Sequence, residues 1–175
     1  MNFNNITTKR LILRPITEAD LQGFFELDSN PKVHVFLGNK PVKTIKESEA
    51  MIANILEQYK TYGLGRLAVI EKSTNEFIGW AGIKYERHLR KEFNYYDLGY
   101  RLKEQFWGKG MATEAALASL NYGFKDLRLK EIAAAADVNH MASNTILKNI
   151  GMSVSGSFVY NNVRHNWYNL KNPFI

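Results

Sequence analysis

The 175-residue chain contains no cysteine. That absence removes disulfides, zinc–thiolate centres and a cysteine nucleophile together, and a reducing, cytoplasmic location is the expectation. Long apolar runs are also missing. None approaches the ~18 residues that a membrane-spanning helix needs, so no membrane partner is expected. The opening Met1-Asn2-Phe3-Asn4-Asn5 lacks the basic and then apolar regions of a secretory leader. His34, His88, His140 and His165 show neither an HExxH pattern nor a short spacing with carboxylates, so no metal is expected. No linker, repeat or low-complexity segment interrupts the chain. Its length suits one hydrophobic core, giving a single domain over residues 1–175.

Hydrophobic residues make up 45% and charged residues 23%, the composition of a soluble globular protein. The formal charge of +6 suits solubility, a polyanionic ligand or nucleic acid. A nucleic-acid face clusters its cations with aromatics between them. Here they are scattered, from Lys9 and Arg10 through Lys40, Arg87, Arg90 and Lys125 to Arg164, and no nucleic-acid partner is expected.

Periodicity and punctuation give an element order. Residues 9–16 read as an apolar strand closed by Pro15. Thr17 caps a helix with Leu21, Phe24 and Phe25 on one face, Asn30-Pro31 breaks the chain, and residues 33–37 form a further helical turn. Thr44-Ile45-Lys46-Glu47 is a capping box for a helix carrying Met51, Ile52, Ile55, Leu56, Tyr59 and Tyr62, with Gly63 as its stop. Three strands follow at residues 66–71, 76–85 and 95–102. Residues 108–124 form a helix with Leu117, Leu120 and Phe124 on one side. Residues 132–138 suit strand or helix on propensity, and their shortness between two helices favours a strand. Residues 143–150 are helical. Strands 154–160 and 163–170 meet at the tight-turn pair Asn161-Asn162. The hairpins require antiparallel pairing and the β-α-β stretch a parallel pair. The fold class is therefore α+β, one mixed sheet with helices on its faces.

The segment with most chemical content joins strand 95–102 to the following helix: Gln105-Phe106-Trp107-Gly108-Lys109-Gly110. A glycine-rich turn entering a helix turns unpaired backbone N–H groups one way, and the helix dipole adds positive potential, which suits a phosphate. Gly108 and Gly110 let the backbone approach closely. A nucleotide-binding Walker loop is excluded, because Met111 follows Gly110 where lysine is needed. A dinucleotide fingerprint is excluded by Thr113 at the third glycine position and by the late place in the chain.

Gln-x-x-Gly-x-Gly between a strand and a helix, in this element order, resembles the coenzyme A signature of the GNAT superfamily of N-acyltransferases. Asp97-Leu98-Gly99-Tyr100-Arg101-Leu102 and Phe106-Trp107-Gly108-Lys109-Gly110-Met111-Ala112-Thr113-Glu114-Ala115 are similar to the Rim-type branch, which includes ribosomal-protein N-terminal acetyltransferases. So are Thr8-Lys9-Arg10-Leu11-Ile12-Leu13-Arg14-Pro15 near the start and the stretch from Ala142-Ser143-Asn144 to Gly151-Met152. The resemblance covers nearly the whole chain. It implies a sheet of about seven strands, splayed after the fourth, with about four helices. It also implies acetyl-coenzyme A as co-substrate.

The resemblance further implies a role for each matching residue. Backbone groups of Tyr100, Arg101 and Leu102 bond pantetheine lying in the gap. Gln105 through Ala112 (Gln105, Phe106, Trp107, Gly108, Lys109, Gly110, Met111 and Ala112) hold the pyrophosphate, and Thr113 adds a hydroxyl. Lys109 either neutralises a phosphate or is simply solvated. Asp97 is either the base that deprotonates the attacking amine or half of a salt bridge. The superfamily's usual acid, a tyrosine, falls at Leu147, which leaves Ser143 one helical turn earlier as the nearest hydroxyl. The cofactor-contacting asparagine of the family falls at His140, so Asn139 beside it is the expected substitute, with Asn144 as a further contact. The implied reaction is direct acetyl transfer to a primary amine, of a protein N-terminus or a small molecule. The alternative is a coenzyme A-binding sensor or interaction module of little activity. The oligomeric state is monomer or homodimer, with the aromatic tail 167–174 available to a second copy.

Overall fold

A computed structural model describes residues 5–175. The elements are β1 (Ile6–Thr7), β2 (Leu11–Pro15), α1 (Leu21–Asp28), α2 (Ile45–Tyr62), β3 (Arg66–Glu71), β4 (Glu76–Glu86), β5 (Tyr95–Leu102), α3 (Met111–Lys125), β6 (Glu131–Asp137), α4 (Met141–Asn149), β7 (Ser153–Tyr160) and β8 (Val163–Lys171). One eight-stranded sheet runs β1-β2-β3-β4-β5-β6-β8-β7. It has one strand more than expected, because Ile6–Thr7 pairs with β2 through Ile6 and Leu13. No helix among the described residues is long and apolar enough to cross a membrane.

Local chemistry accounts for most boundaries. The Thr44–Glu47 capping box starts α2, and Gly63 at φ 69° ends it in the left-handed conformation. Asn161 and Asn162 take φ of 49° and 63°, the backbone that a two-residue hairpin loop requires. Residues 132–136 are strand despite four alanines in a row. Both edges of β6 find partners, β5 and β8, and Ile132, Ala134 and Ala136 point into one core. Two expectations need correction. The turn after Asn30-Pro31 is a short 3₁₀ helix over Pro31–His34, which Asn30 starts by accepting the Lys32 N–H at 3.0 Å. Leu117 is 46% exposed, because the buried stripe of α3 runs through Ala115, Ala116, Ser119, Leu120, Gly123 and Phe124 and leaves Leu117 at its margin.

Helices α1 and α2 pack on one sheet face through Phe24, Ile52, Ile55 and Tyr59. On the other face, Leu120 and Phe124 of α3, Leu147 of α4 and Ile150 just after it meet Leu98, Ile132 and Tyr168. All strand pairs are antiparallel except β5–β6. That parallel pair has one register contact, Asp97 with Ala133, whereas β4 follows β5 from Tyr95 to Leu102. Beyond Asp97, the β6-facing edge of β5 therefore carries unspent backbone groups. The sheet is split along this line, at the strand expected from the sequence.

Candidate acyl-transfer site at the split sheet

At the mouth of the split, the chain leaves β5 through a 3₁₀ turn over Glu104–Phe106 and enters α3. Within that turn the Phe106 N–H donates to the Lys103 carbonyl and the Trp107 N–H to the Glu104 carbonyl, each at 3.0 Å. These two amides are spent, so the expected row of phosphate donors shortens at its start. Phe106 and Met111 are instead buried beneath the loop, in the core between α3 and the sheet. The Trp107 indole N–H donates to the Leu102 carbonyl at 2.7 Å and ties the loop to the strand end. Gln105 and Lys109 are exposed.

Gly108 and Gly110 have φ of 71° and 73°, in the region that favours glycine. A Cβ on Gly108 would meet nothing within 4 Å, and one on Gly110 only the Arg10 guanidinium at 3.5 Å. The first bond of α3 runs from the Glu114 N–H to the Gly110 carbonyl at 3.1 Å. The amides of Met111, Ala112 and Thr113 thus lie in the turn that has no intrahelical acceptor. An open concave backbone with free donors at a helix N-terminus is what a pyrophosphate fits. Arg10, part of the Thr8–Pro15 stretch but given no role from the sequence, braces this loop. It pairs with Glu114 at 2.7 Å and donates to the Lys109 carbonyl at 2.8 Å, while the Thr8 hydroxyl reaches Glu114 at 2.6 Å.

Deeper in the split, the Tyr100 hydroxyl lies 3.1 Å from both Oγ and the carbonyl oxygen of Ser143 at the start of α4. Burial, opposed by the Ser143 bond, holds the Tyr100 pKa well above its ordinary value. Leu147, at the family's tyrosine position, is 1% exposed and belongs to the core. Asn144 is buried and fully bonded. Its Nδ2 donates to the Asp137 and His140 carbonyls at 2.8 and 2.9 Å, and its Oδ1 accepts from Asn166 and Tyr168 at 2.8 and 2.7 Å. It has no polar atom left for a ligand, and its work is to hold the end of β6 against α4 and β8. Asn139 is exposed at the end of β6, its backbone N–H on Asp137 Oδ1 at 2.8 Å. The His140 ring stacks on Phe36, centroids 4.3 Å apart, so it meets the segment between α1 and α2.

Asp97 lies on the α1/α2 face of β5 with Gly99 and Arg101. Its carboxylate is paired with Arg66, which also donates to the carbonyls of Gly82 and Asp97. Gly99 makes this possible, since a Cβ there would stand 2.6 Å from the guanidinium. The salt bridge that the sequence left open is therefore present. Burial pushes the Asp97 pKa up, with a smaller push from Glu86, and the charges of Arg66 and Lys84 restore only part of it. Trp80 is flanked by the guanidinium groups of Arg66 and Arg101, 5.3 and 5.0 Å from its ring. Arg101 in turn pairs with the fully buried Asp28 at the end of α1, and His34 Nε2 is 3.5 Å from that carboxylate. Burial and then Arg101 lower the His34 pKa and favour the neutral ring.

A split mixed sheet, helix N-terminal amides without an intrahelical acceptor after β5 and a buried carboxylate paired with Arg66 make up the candidate site. Residues 10–153 match the family model described as "Acetyltransferase (GNAT) domain", and the chain belongs to that acetyltransferase family. "Uncharacterized N-acetyltransferase YoaA" of Bacillus subtilis is 30% identical over 165 residues, covering 91% of this chain and 90% of the relative. Among solved structures, a ribosomal L7/L12 alpha-N-protein acetyltransferase in complex with coenzyme A has a TM-score of 0.80 at 17% identity, covering 96% and 98% of the two chains. Spermidine N-acetyltransferase from Vibrio cholerae, in complex with coenzyme A and spermine, has a TM-score of 0.77 at 17% identity, covering 94% and 97%. Both share the fold of this chain.

Proposed function

We propose that this chain transfers acetyl from acetyl-coenzyme A to a primary amine, of a protein N-terminus or a small molecule, by direct attack in a ternary complex. The observation that carries the reading is the single β5–β6 contact at Asp97, with the first-turn amides of α3, which lack an intrahelical acceptor, following the end of β5. Acetyl-coenzyme A supplies the thioester carbonyl to be attacked and the thiolate that leaves. Gly108 through Thr113 hold its pyrophosphate through backbone N–H groups, with Lys109 adding charge. The edge of β5 from Tyr100 through Arg101 to the Leu102 N–H, the Leu102 carbonyl being held by Trp107, bonds the pantetheine amides, and a β5 N–H polarises the carbonyl oxygen. Asn139, with a free side chain at the facing strand end, adds a contact.

Asp97, through water, takes the proton that the attacking ammonium must lose to expose its lone pair. Its raised pKa moves it toward the range of an effective base. The amine nitrogen then bonds the carbonyl carbon, the carbon–sulfur bond breaks, and sulfur takes up a proton. Ser143, hydrogen-bonded to Tyr100, relays that proton from solvent, so that neither hydroxyl is left ionised. The hydroxyl pair thus occupies the role for which Leu147 is unsuited. Leu147 also gives the second reading its support: a domain that binds coenzyme A and turns over little. Calorimetric titration with coenzyme A, alongside thiol release over a panel of amines, decides between them. Binding with amine-stimulated thiol release supports transfer, and binding without it supports the module.

A further inference from the structure

The loop joining β4 to β5, residues 87–94, brings Arg90 among aromatic rings. Its guanidinium carbon is 4.8 Å from the ring centroid of Phe93, 4.8 Å from that of Phe158 and 5.0 Å from that of Trp167. The three rings come from the loop, β7 and β8. Phe93 and Phe158 stand edge-on to Trp167, at 5.7 and 5.9 Å with interplanar angles of 75°. Such a box of ring faces attracts a desolvated cation. The Arg90 side chain is only 19% exposed, and its ion-pair partner, Glu92 at 3.1 Å, is itself mostly in solvent on the same loop. The rings therefore do most to hold the charge.

The place of the box gives it meaning. Tyr95 packs edge-on against Trp167 at 4.6 Å and lies on the same face of β5 as Asp97, two residues away. That spacing is ~7 Å along a strand. The Tyr95 hydroxyl is buried without a hydrogen-bond partner among the described residues, and after burial Asp97 and Glu86 contribute most to raising its pKa. A cation placed between the box and Asp97 would meet an unspent hydroxyl, and the carboxylates of Asp97 and Glu86 with their resident partners Arg66 and Lys84. Beside the box opens a cavity of about 600 Å³, lined by Phe93, Tyr95, Ala133 and Trp167 together with the charged residues Arg128, Lys130 and Glu131. That volume is of the order of a small-ligand site.

We infer that the Phe93–Phe158–Trp167 box is the subsite for a second cationic group on the acceptor, and that Arg90 is a resident occupant which the acceptor displaces. The inference rests on the transferase reading for the identity of the ligand. The favoured acceptor carries an ammonium or guanidinium group about two strand positions from the nitrogen that is acylated. Arg90 competes with it, so the wild-type protein discriminates less than the bare box would.

The test compares cadaverine with pentylamine, and Ala-Arg peptides with Ala-Gln peptides, in wild type, Arg90→Ala and Trp167→Leu. The two pairs distinguish small diamines from peptides as the source of the cation. In Arg90→Ala, the ratio of kcat/KM for the dicationic over the monocationic partner should rise about threefold to tenfold in one pair, and in Trp167→Leu it should fall toward one. Phe158→Leu, on the edge strand, serves in place of Trp167→Leu if thermal melting shows that variant unfolded. A ratio that stays the same in all variants, or Arg90→Ala lowering both partners equally, overturns the inference and makes Arg90 a latch for its loop. Calorimetry of cadaverine and pentylamine on Arg90→Ala, with coenzyme A present, separates the two readings. Preference for cadaverine without turnover supports the box and sinks the transferase. Turnover without preference sinks the box alone.

Discussion

Tyr100 of β5 and Ser143 of α4 are joined across the split, the tyrosine hydroxyl 3.1 Å from the serine Oγ. One residue belongs to the strand whose free edge would receive pantetheine. The other begins the helix where the family places its tyrosine one turn later, at Leu147. The pair brings the strand's Tyr100 hydroxyl to the split beside the helix's Ser143 hydroxyl. Tyr100→Phe should therefore lower kcat about tenfold or more while coenzyme A affinity changes little. Steady-state kinetics beside calorimetry check this, and a loss of affinity without a loss of kcat would reduce Tyr100 to a wall of the cleft. Leu147→Tyr should give no rescue, because the larger ring has no space and costs about 1–3 kcal/mol by overpacking, read by chemical denaturation.

Arg66 and Gly99 form a second such unit. The guanidinium lies where a Cβ on residue 99 would stand, so Gly99→Ala should displace Arg66 and destabilise the fold by about 1–3 kcal/mol. Arg66→Met should cost more, about 3–5 kcal/mol, since it leaves the Asp97 carboxylate buried without its partner. Urea unfolding of both variants measures the difference. Equal stability of wild type and Arg66→Met would contradict the assignment.

For Asp97 the pH dependence has a definite sign. Its pKa is above the ordinary 3.8, so the basic form is lost as pH falls through that raised value, and kcat/KM should fall with it. Asp97→Asn should lower turnover and remove this acidic limb. A variant whose pH–rate profile overlays the wild type would reassign the base.

Glu86 makes the opposite prediction for stability. Burial alone would raise its pKa, but Lys84 at 2.5 Å and the N–H groups of His88 and Leu89 outweigh it and hold the carboxyl at about 2 against 4.5. A depressed folded pKa means stability that is present above 4.5 and lost as pH falls from there toward 2. Glu86→Gln should be less stable than wild type by about 1–3 kcal/mol at neutral pH, with the gap closing in acid. Thermal melts across that range check it.

Much of the fold was legible because its signals are local. The Thr44 capping box, Gly63, the Asn161-Asn162 turn and the glycine turn before α3 each carry their geometry in two or three neighbouring residues. The alanine run of β6 was legible only through its neighbours. What escaped depends on contacts between distant residues. β1 is two residues whose pairing exists only because β2 lies beside them. Arg10 and Arg66 act across 104 and 31 positions. Phe106 and Trp107 sit inside the motif, yet their amides are spent in a 3₁₀ turn that no spacing announces. Asn144 matched a family position, and its four bonds to Asp137, His140, Asn166 and Tyr168 show a scaffold. Tyr168, counted with an aromatic tail open to a second copy, is fully buried.

Gly110→Glu tests the loop. Glutamate in the left-handed region costs about 1–3 kcal/mol, and its carboxylate would face the pyrophosphate. Coenzyme A binding should be lost, whereas Gly110→Asn, which tolerates that backbone, should weaken it only a few-fold. Circular dichroism of both variants confirms folding. Wild-type affinity in Gly110→Glu would move the phosphate site elsewhere.

The most direct test of acetyl transfer at the split is thiol release with acetyl-coenzyme A and a primary amine varied together. Direct attack in a ternary complex predicts release that depends on the amine, with intersecting reciprocal plots. Parallel plots, or coenzyme A binding with no amine-dependent release, would contradict the account.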